Sequence, residues 1–122
     1  MTAAADADRW QRFPPRFRLR KRHEFVALQR HGQRHSAAHF VVITRTLASA
    51  PARLGVTTSR KVGSAPERNR VRRLVREFFR RHRALIDPPR DVLVIARPEA
   101  AALSYADVVQ QLSHILVRRD RD

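Results

Sequence analysis

The sequence predicts an α+β fold: a two-layer α/β sandwich with a roughly four-stranded mixed sheet and three helices, in the order α-β-β-β-α-β-α. Three observations predict it. One helical stripe of apolar residues runs from Val71 to Ile86, following the 3, 1, 3, 1 spacing of a single helix face. Two runs read as strands, HFVVITRTL at 39–47 and the near-continuous apolar DVLVIAR at 91–97. A length of 122 residues suits one domain with a buried core.

The elements follow in chain order. Residues 1–15 end in Phe13-Pro14-Pro15 and read as a flexible N-terminal extension. Residues 16–119 read as one domain and 120–122 as a tail. RFRLR at 16–20 alternates basic and apolar residues and leads into a first helix at about 21–31. In that helix Phe25 and Leu28 share a face, and Gly32 stands at the C-terminal stop. A short strand at 33–37 is weakly signalled. After the strand at 39–47, Ala50-Pro51 turns the chain into a second strand, RLGVTTS, at 53–59. The central helix is expected over 66–86. Ser64 and Glu67 have capping-box spacing, Pro66 fits the first turn, and Asp87-Pro88-Pro89 ends the helix. Its inner face carries Val71, Leu74, Val75, Phe78, Phe79, His82, Leu85 and Ile86. A last helix starts at Ser104 and Asp107, again with capping-box spacing. Its inner face holds Tyr105, Val108, Val109, Leu112, Ile115 and Leu116, with Arg118 and Arg119 at its C-terminal end. The strand at 53–59, the central helix and the strand at 91–97 form a βαβ unit, which by default crosses over right-handed.

Charge narrows the function. The net charge is +15, carried by 24 Arg and 2 Lys against 11 acids. A surplus of this size repels itself and calls for a polyanionic partner. It is also concentrated. Residues 9–34 and 60–83 each carry net +8, on a near-neutral frame. There is no Cys, which excludes disulfides, thiolate metal sites and a cysteine nucleophile. Three glycines, Gly32, Gly55 and Gly63, cannot build a glycine-rich phosphate loop. The apolar runs are far too short to span a membrane. MTAAADADRW lacks the basic start and apolar stretch of a secretory signal, so the expected compartment is the cytoplasm.

The second cluster has a definite geometry. On a helical wheel Asn69, Arg72, Arg73, Arg76, Arg80 and Arg83 fall within about 100° of one another, opposite the valines and phenylalanines. Arg68 and Arg70 lie in the first turn, and Arg60 and Lys61 just before it. A guanidinium offers a planar fork that makes paired hydrogen bonds to phosphate oxygens and stays charged at any physiological pH. A helix fixes the spacing of such groups in advance. The expected reading is a cationic ridge for a nucleic-acid backbone.

Here the residues resemble a known family. Ser59-Arg60-Lys61-Val62-Gly63, then Arg68-Asn69-Arg70-Val71-Arg72-Arg73-Leu74, then Arg76, are similar to the signature of the protein subunit of bacterial ribonuclease P. The stretch RLRKRHEFVALQRHG at 18–32 is similar to that family's first helix, and 91–97 with Ser104-Tyr105 to its C-terminal half. The resemblance covers about 16–119 and implies an unusual left-handed βαβ crossover. It implies two partners, a catalytic RNA and precursor tRNA, with no membrane and no required protein partner. It implies that the RNA carries the active site with magnesium, and that this chain holds no cofactor and supplies no catalytic residue. The catalytic-RNA and precursor-tRNA contacts it implies are Arg60, Lys61, Arg68, Asn69, Arg70, Arg72, Arg73, Arg76 and Arg80. The cleft for the 5′ leader, formed by the first helix and the sheet, would use Arg18, Arg20, Lys21, Phe25 and Phe40. Gln29 and Ile43 stand where family members carry further aromatics, so backbone contacts are expected to outweigh base stacking.

Three other readings compete. A basic ribosomal or helix-turn-helix protein fits the composition, although a strand rather than a short helix precedes the central helix. A self-sufficient nuclease would need clustered carboxylates or a His pair with Lys, and the acids here are scattered apart from a conceivable Glu67 and Asp91 pair. His31, His35 and His39 are spaced four apart, but Gly32 and the following strand break any shared helix.

Overall fold

The computed structural model describes residues 17–19, 21–46, 52–86 and 90–117. Arg20, the Ala50-Pro51 turn, the Asp87-Pro88-Pro89 stop, Arg118, Arg119, the 1–15 extension and the 120–122 tail lie outside the described residues. The elements are α1 (Arg22–His31), β1 (Gln33–Ser36), β2 (Phe40–Thr46), β3 (Arg53–Thr57), α2 (Ala65–His82), β4 (Arg90–Ala96) and α3 (Tyr105–Leu116). Short 3-10 turns precede α2, follow it, and precede α3.

The capping signals act as read. Ser64 Oγ accepts the Glu67 amide, and Glu67 accepts the Ser64 amide in return. Ser104 and Asp107 do the same for α3. Each pair satisfies amides that a helix start leaves without partners. The end of α2 differs from expectation. The helix stops at His82 and tightens into a 3-10 turn over Arg83–Leu85. That turn advances about 120° per residue, not 100°, which swings Leu85 outward. Leu85 is 52% exposed, while Ile86 is buried as expected. His82 is half-buried, stacked on Phe78 with ring centroids 4.6 Å apart, and its Nδ1 bonds the Phe78 carbonyl.

The strands form one mixed sheet in the order β1-β2-β4-β3. β1 and β4 pair antiparallel to β2, and β3 runs parallel to β4, with α2 in the crossover. Side chains alternate between the two faces. One face presents Phe40, Val42, Leu54, Val92, Val94 and Ala96 to the inner stripes of α2 and α3. This is the expected two-layer body, and Val71, Val75, Phe78, Phe79, Val108, Leu112 and Leu116 complete its core. The other face presents Val41, Ile43 and Leu93, covered by Leu28 and Phe25 of α1 and by Leu19. Thus α1 adds a partial third layer. Leu28 is its only buried residue, so α1 gains far less from burial than α2, where each buried apolar side chain contributes about 1.5–3 kcal/mol.

Candidate nucleic-acid interface

The approach to α2 is set by a tight turn. Ser59 Oγ accepts the Lys61 amide at 3.3 Å, and Arg60–Val62 form a 3-10 turn. Gly63 then takes φ +148°, a conformation L side chains rarely adopt, and a Cβ there would strike Glu67. Val62 is buried, so Arg60 and Lys61 are left exposed beside the first turn of α2. Arg68 Nη1 donates to the Gly63 carbonyl at 3.1 Å and braces the same turn.

Along α2 the buried stripe leaves the opposite side to arginine. Asn69, Arg73 and Arg76 are exposed, and Arg72 is half-exposed with its Nη1 donating to Asn69 Oδ1 at 3.0 Å. Among the described residues, no carboxylate pairs with Arg72, Arg73 or Arg76. Partial desolvation, with Arg18 and Arg72 close by, pulls the Arg76 pKa below its ordinary value. Cations crowded in this way repel one another, and a bound phosphate relieves the repulsion.

The ridge is shorter than the wheel predicts. Arg80 is committed to Glu77, with Nε and Nη2 on the two carboxylate oxygens at 3.0 and 2.9 Å, and Arg81 holds the same carboxylate. Glu77 is buried, so these pairs anchor the C-terminal part of the helix. Arg83 leaves the ridge because the helix has ended, and its guanidinium lies 3.7 Å from the Phe17 ring centroid. Arg70 faces the other flank, donating to the Ala101 carbonyl at 3.1 Å. A groove of about 350 Å³ lies there, lined by Arg70, Arg73, Leu74, Glu77, Arg81 and Tyr105. The open cations are therefore Arg72, Arg73 and Arg76, with Arg60 and Lys61 at their N-terminal side.

The second predicted site lies between α1 and the sheet. Phe25 is half-buried, with its ring against Gly55 of β3, where a Cβ would stand 2.8 Å from Phe25 Cε1. Beyond α1 on this face, Ile95 is half-buried, and Ser36 and Thr57 are exposed. These residues were not singled out from the sequence, although strand alternation counted from Ile43 would have found them. Lys21 is exposed at the N-cap of α1. Arg18 continues the edge of β3 through a bridge to Leu54, and its charge acts on Arg76 of the ridge. Arg20 lies outside the described residues.

Phe40 corrects the sequence reading. It is 0% exposed, in the core under α2 and α3, and has no surface to offer a ligand. A strand sends neighbouring residues to opposite faces, so Val41 and Ile43 point toward α1 and Phe40 points away. Of the departures from the family pattern, Gln29 is exposed on α1, and Ile43 is buried beneath it. The histidines separate. His35 lies 3.5 Å from Thr44, and His39 pairs with Gln111. Glu67 and Asp91 do not meet, since Glu67 caps α2 and Asp91 binds Arg53.

A basic α+β domain with an open arginine ridge on one helix is an RNA-binding class of protein, and comparisons with known proteins narrow it. Residues 13–120 match the family model described as Ribonuclease P. The ribonuclease P protein component of Desulfovibrio desulfuricans is 42% identical over 112 residues, covering 88% of this chain and 86% of that one. That of Syntrophus aciditrophicus is 33% identical over 105 residues, covering 86% and 88%. The solved RNase P protein of Thermotoga maritima superposes with a TM-score of 0.75 at 32% identity, covering 85% of this chain and 98% of that one. The Staphylococcus aureus protein gives 0.73 at 31%, covering 81% and 91%. The chain belongs to the ribonuclease P protein family. It is the protein component of a ribonucleoprotein endoribonuclease that acts in tRNA 5′ maturation with an RNA subunit. The ribosomal and self-sufficient nuclease readings give way to this assignment.

Proposed function

We propose that the two sites divide the work of this subunit. The α2 ridge of Asn69, Arg72, Arg73 and Arg76, with Arg60, Lys61 and Arg68 at its N-terminal side and Arg70 on the adjoining flank, grips the backbone of the catalytic RNA. The cleft beside Phe25 receives the 5′ leader of precursor tRNA, with Lys21 at its rim. The observation that carries this reading is that Arg72, Arg73 and Arg76 on the ridge have no carboxylate partners among the described residues. The chain binds and orients, and the cutting chemistry belongs to the RNA.

Magnesium is assigned to the RNA in the same reading. Five of the six described carboxylates are already engaged, Glu24 and Asp91 with Arg53, Glu77 with Arg80 and Arg81, and Glu67 and Asp107 in caps, which leaves the exposed Glu99 by itself. A hard cation needs several free oxygen ligands, and these residues do not make such a set. Among the described residues no helix is long and apolar enough to cross a membrane, and we assign the particle to the cytoplasm, where tRNA precursors are made.

Reconstitution tests the reading. This chain, a ribonuclease P catalytic RNA and a precursor tRNA are combined at physiological magnesium. The wild-type protein accelerates leader removal, and Arg72→Glu/Arg76→Glu loses most of that acceleration. Equal cleavage with both proteins would refute the ridge.

A further inference from the structure

Among the arginines that this chain spends on its own structure, Arg53 has a position that gives it a further role. Arg53 and Gly55 lie two apart on the same face of β3, both beneath α1. Arg53 makes a two-pronged bond to its register partner on β4, with Nε on Asp91 Oδ1 at 2.9 Å and Nη2 on Asp91 Oδ2 at 2.8 Å. Its remaining prong reaches α1, where Nη1 donates to Glu24 Oε2 at 2.7 Å. The other oxygen of Glu24 accepts the Lys21 amide at 3.2 Å and closes the first turn of α1. One carboxylate therefore shapes the helix start and ties it to the sheet. One residue further along, the Phe25 ring rests on the backbone at Gly55, with Leu19 also close to that glycine.

We propose that Arg53 is a positioning residue for the leader cleft. Held flat by Asp91, it fixes the start of α1 through Glu24 and so sets where the Phe25 ring stands over β3. Gly55 is the second point of the lock, because any side chain there would displace the ring into the cleft. The need for a lock follows from packing. Leu28 is the only buried residue of α1, too little apolar anchorage to fix the height and tilt of a ten-residue helix. A planar guanidinium between two carboxylates supplies the missing direction, which a single contact would not. The role rests on the reading of the cleft as the leader site. It also separates Arg53 from the ridge: its charge is answered by two carboxylates, so it steers no RNA.

The test uses the reconstituted ribonucleoprotein and the ratio of its affinities for precursor and mature tRNA. Phe25→Ala lowers that ratio. Arg53→Gln lowers it about five-fold and leaves catalytic-RNA affinity within two-fold, and Arg53→Lys recovers part of the loss. Arg53→Gln/Phe25→Ala falls no further than Phe25→Ala alone, because Arg53 acts through that ring. Glu24→Gln keeps Asp91 paired and retains a capping side chain, so it loosens α1 and carries the test even if Arg53→Gln fails to fold. In both loosened variants the α1 amides exchange with solvent faster than in the wild type. Unchanged α1 exchange, or losses from Arg53 and Phe25 that add independently, would overturn the lock while leaving the cleft in place. An unchanged ratio in Phe25→Ala would remove the cleft itself, and the role of Arg53 with it.

Discussion

In the proposed reading the α2 ridge and the α1 cleft meet the same kind of ligand, a ribose-phosphate chain, but they are built differently. The ridge belongs to one helix with a deep apolar stripe and a closed capping box, so its cations are spaced before any RNA arrives. The cleft exists only because a second element is docked, and α1 brings one buried residue to that docking. Acids divide along the same line. Ser64 and Glu67 finish the ridge helix from within, whereas Glu24 must reach another strand to hold its helix down. A site on one element is robust to changes elsewhere in the fold, and a site between two elements depends on what positions them.

The largest expected effect removes the distinction. Phe79 is fully buried between α2 and the sheet, and Phe79→Ala is expected to cost about 3–5 kcal/mol in denaturant unfolding. Both binding activities fall together. Next comes Arg72→Glu/Arg76→Glu. Two phosphate contacts become repulsions, and catalytic-RNA affinity in filter binding at fixed salt drops by about 100-fold, near 2.7 kcal/mol. Precursor and mature tRNA remain distinguishable once the particle is saturated with RNA. Phe25→Ala separates the sites from the other side. It is expected to weaken precursor-tRNA binding by about 1–2 kcal/mol, with mature tRNA and catalytic RNA unaffected. A matching loss for mature tRNA would mean that Phe25 does not meet the leader.

The smallest effect concerns the ridge helix alone. Ser64→Ala removes the cap and is expected to cost about 1 kcal/mol of thermal stability. The Ser64 backbone and side chain hold the Glu67 carboxyl below its usual 4.5. A depressed carboxylate stabilises the fold above its unfolded value and loses that effect as pH falls through the lower folded value. The difference between wild type and Glu67→Ala, which removes that carboxylate, should therefore be full at neutral pH and shrink below about pH 4.5. A gap that persists unchanged at pH 2 would contradict the cap.

What could be read from the sequence follows from where each signal resides. The α2 helix was legible because periodicity and cap lie in one stretch, although its end at His82 falls short of the predicted 86. β1, with the sequence QRHS, carries no apolar pattern, and its register comes from pairing with β2. Phe40 was legible as a strand residue but not by face, since a strand pattern does not say which side a helix will cover. Glu77 falls among the ridge arginines in the sequence, yet its burial and its hold on Arg80 depend on packing. The clamp of Glu24, Arg53 and Asp91 joins residues 29 and 38 positions apart, and no local pattern announces it.

The claim that α2 grips RNA through its open cations is tested most directly by the salt dependence of catalytic-RNA binding. If the wild type contacts about six phosphates, its log–log slope lies near −4. Arg72→Gln/Arg76→Gln gives up two of them, and the slope becomes shallower by about 1.4. Parallel lines for the two proteins would contradict the account, because those guanidinium groups would then displace no counterions.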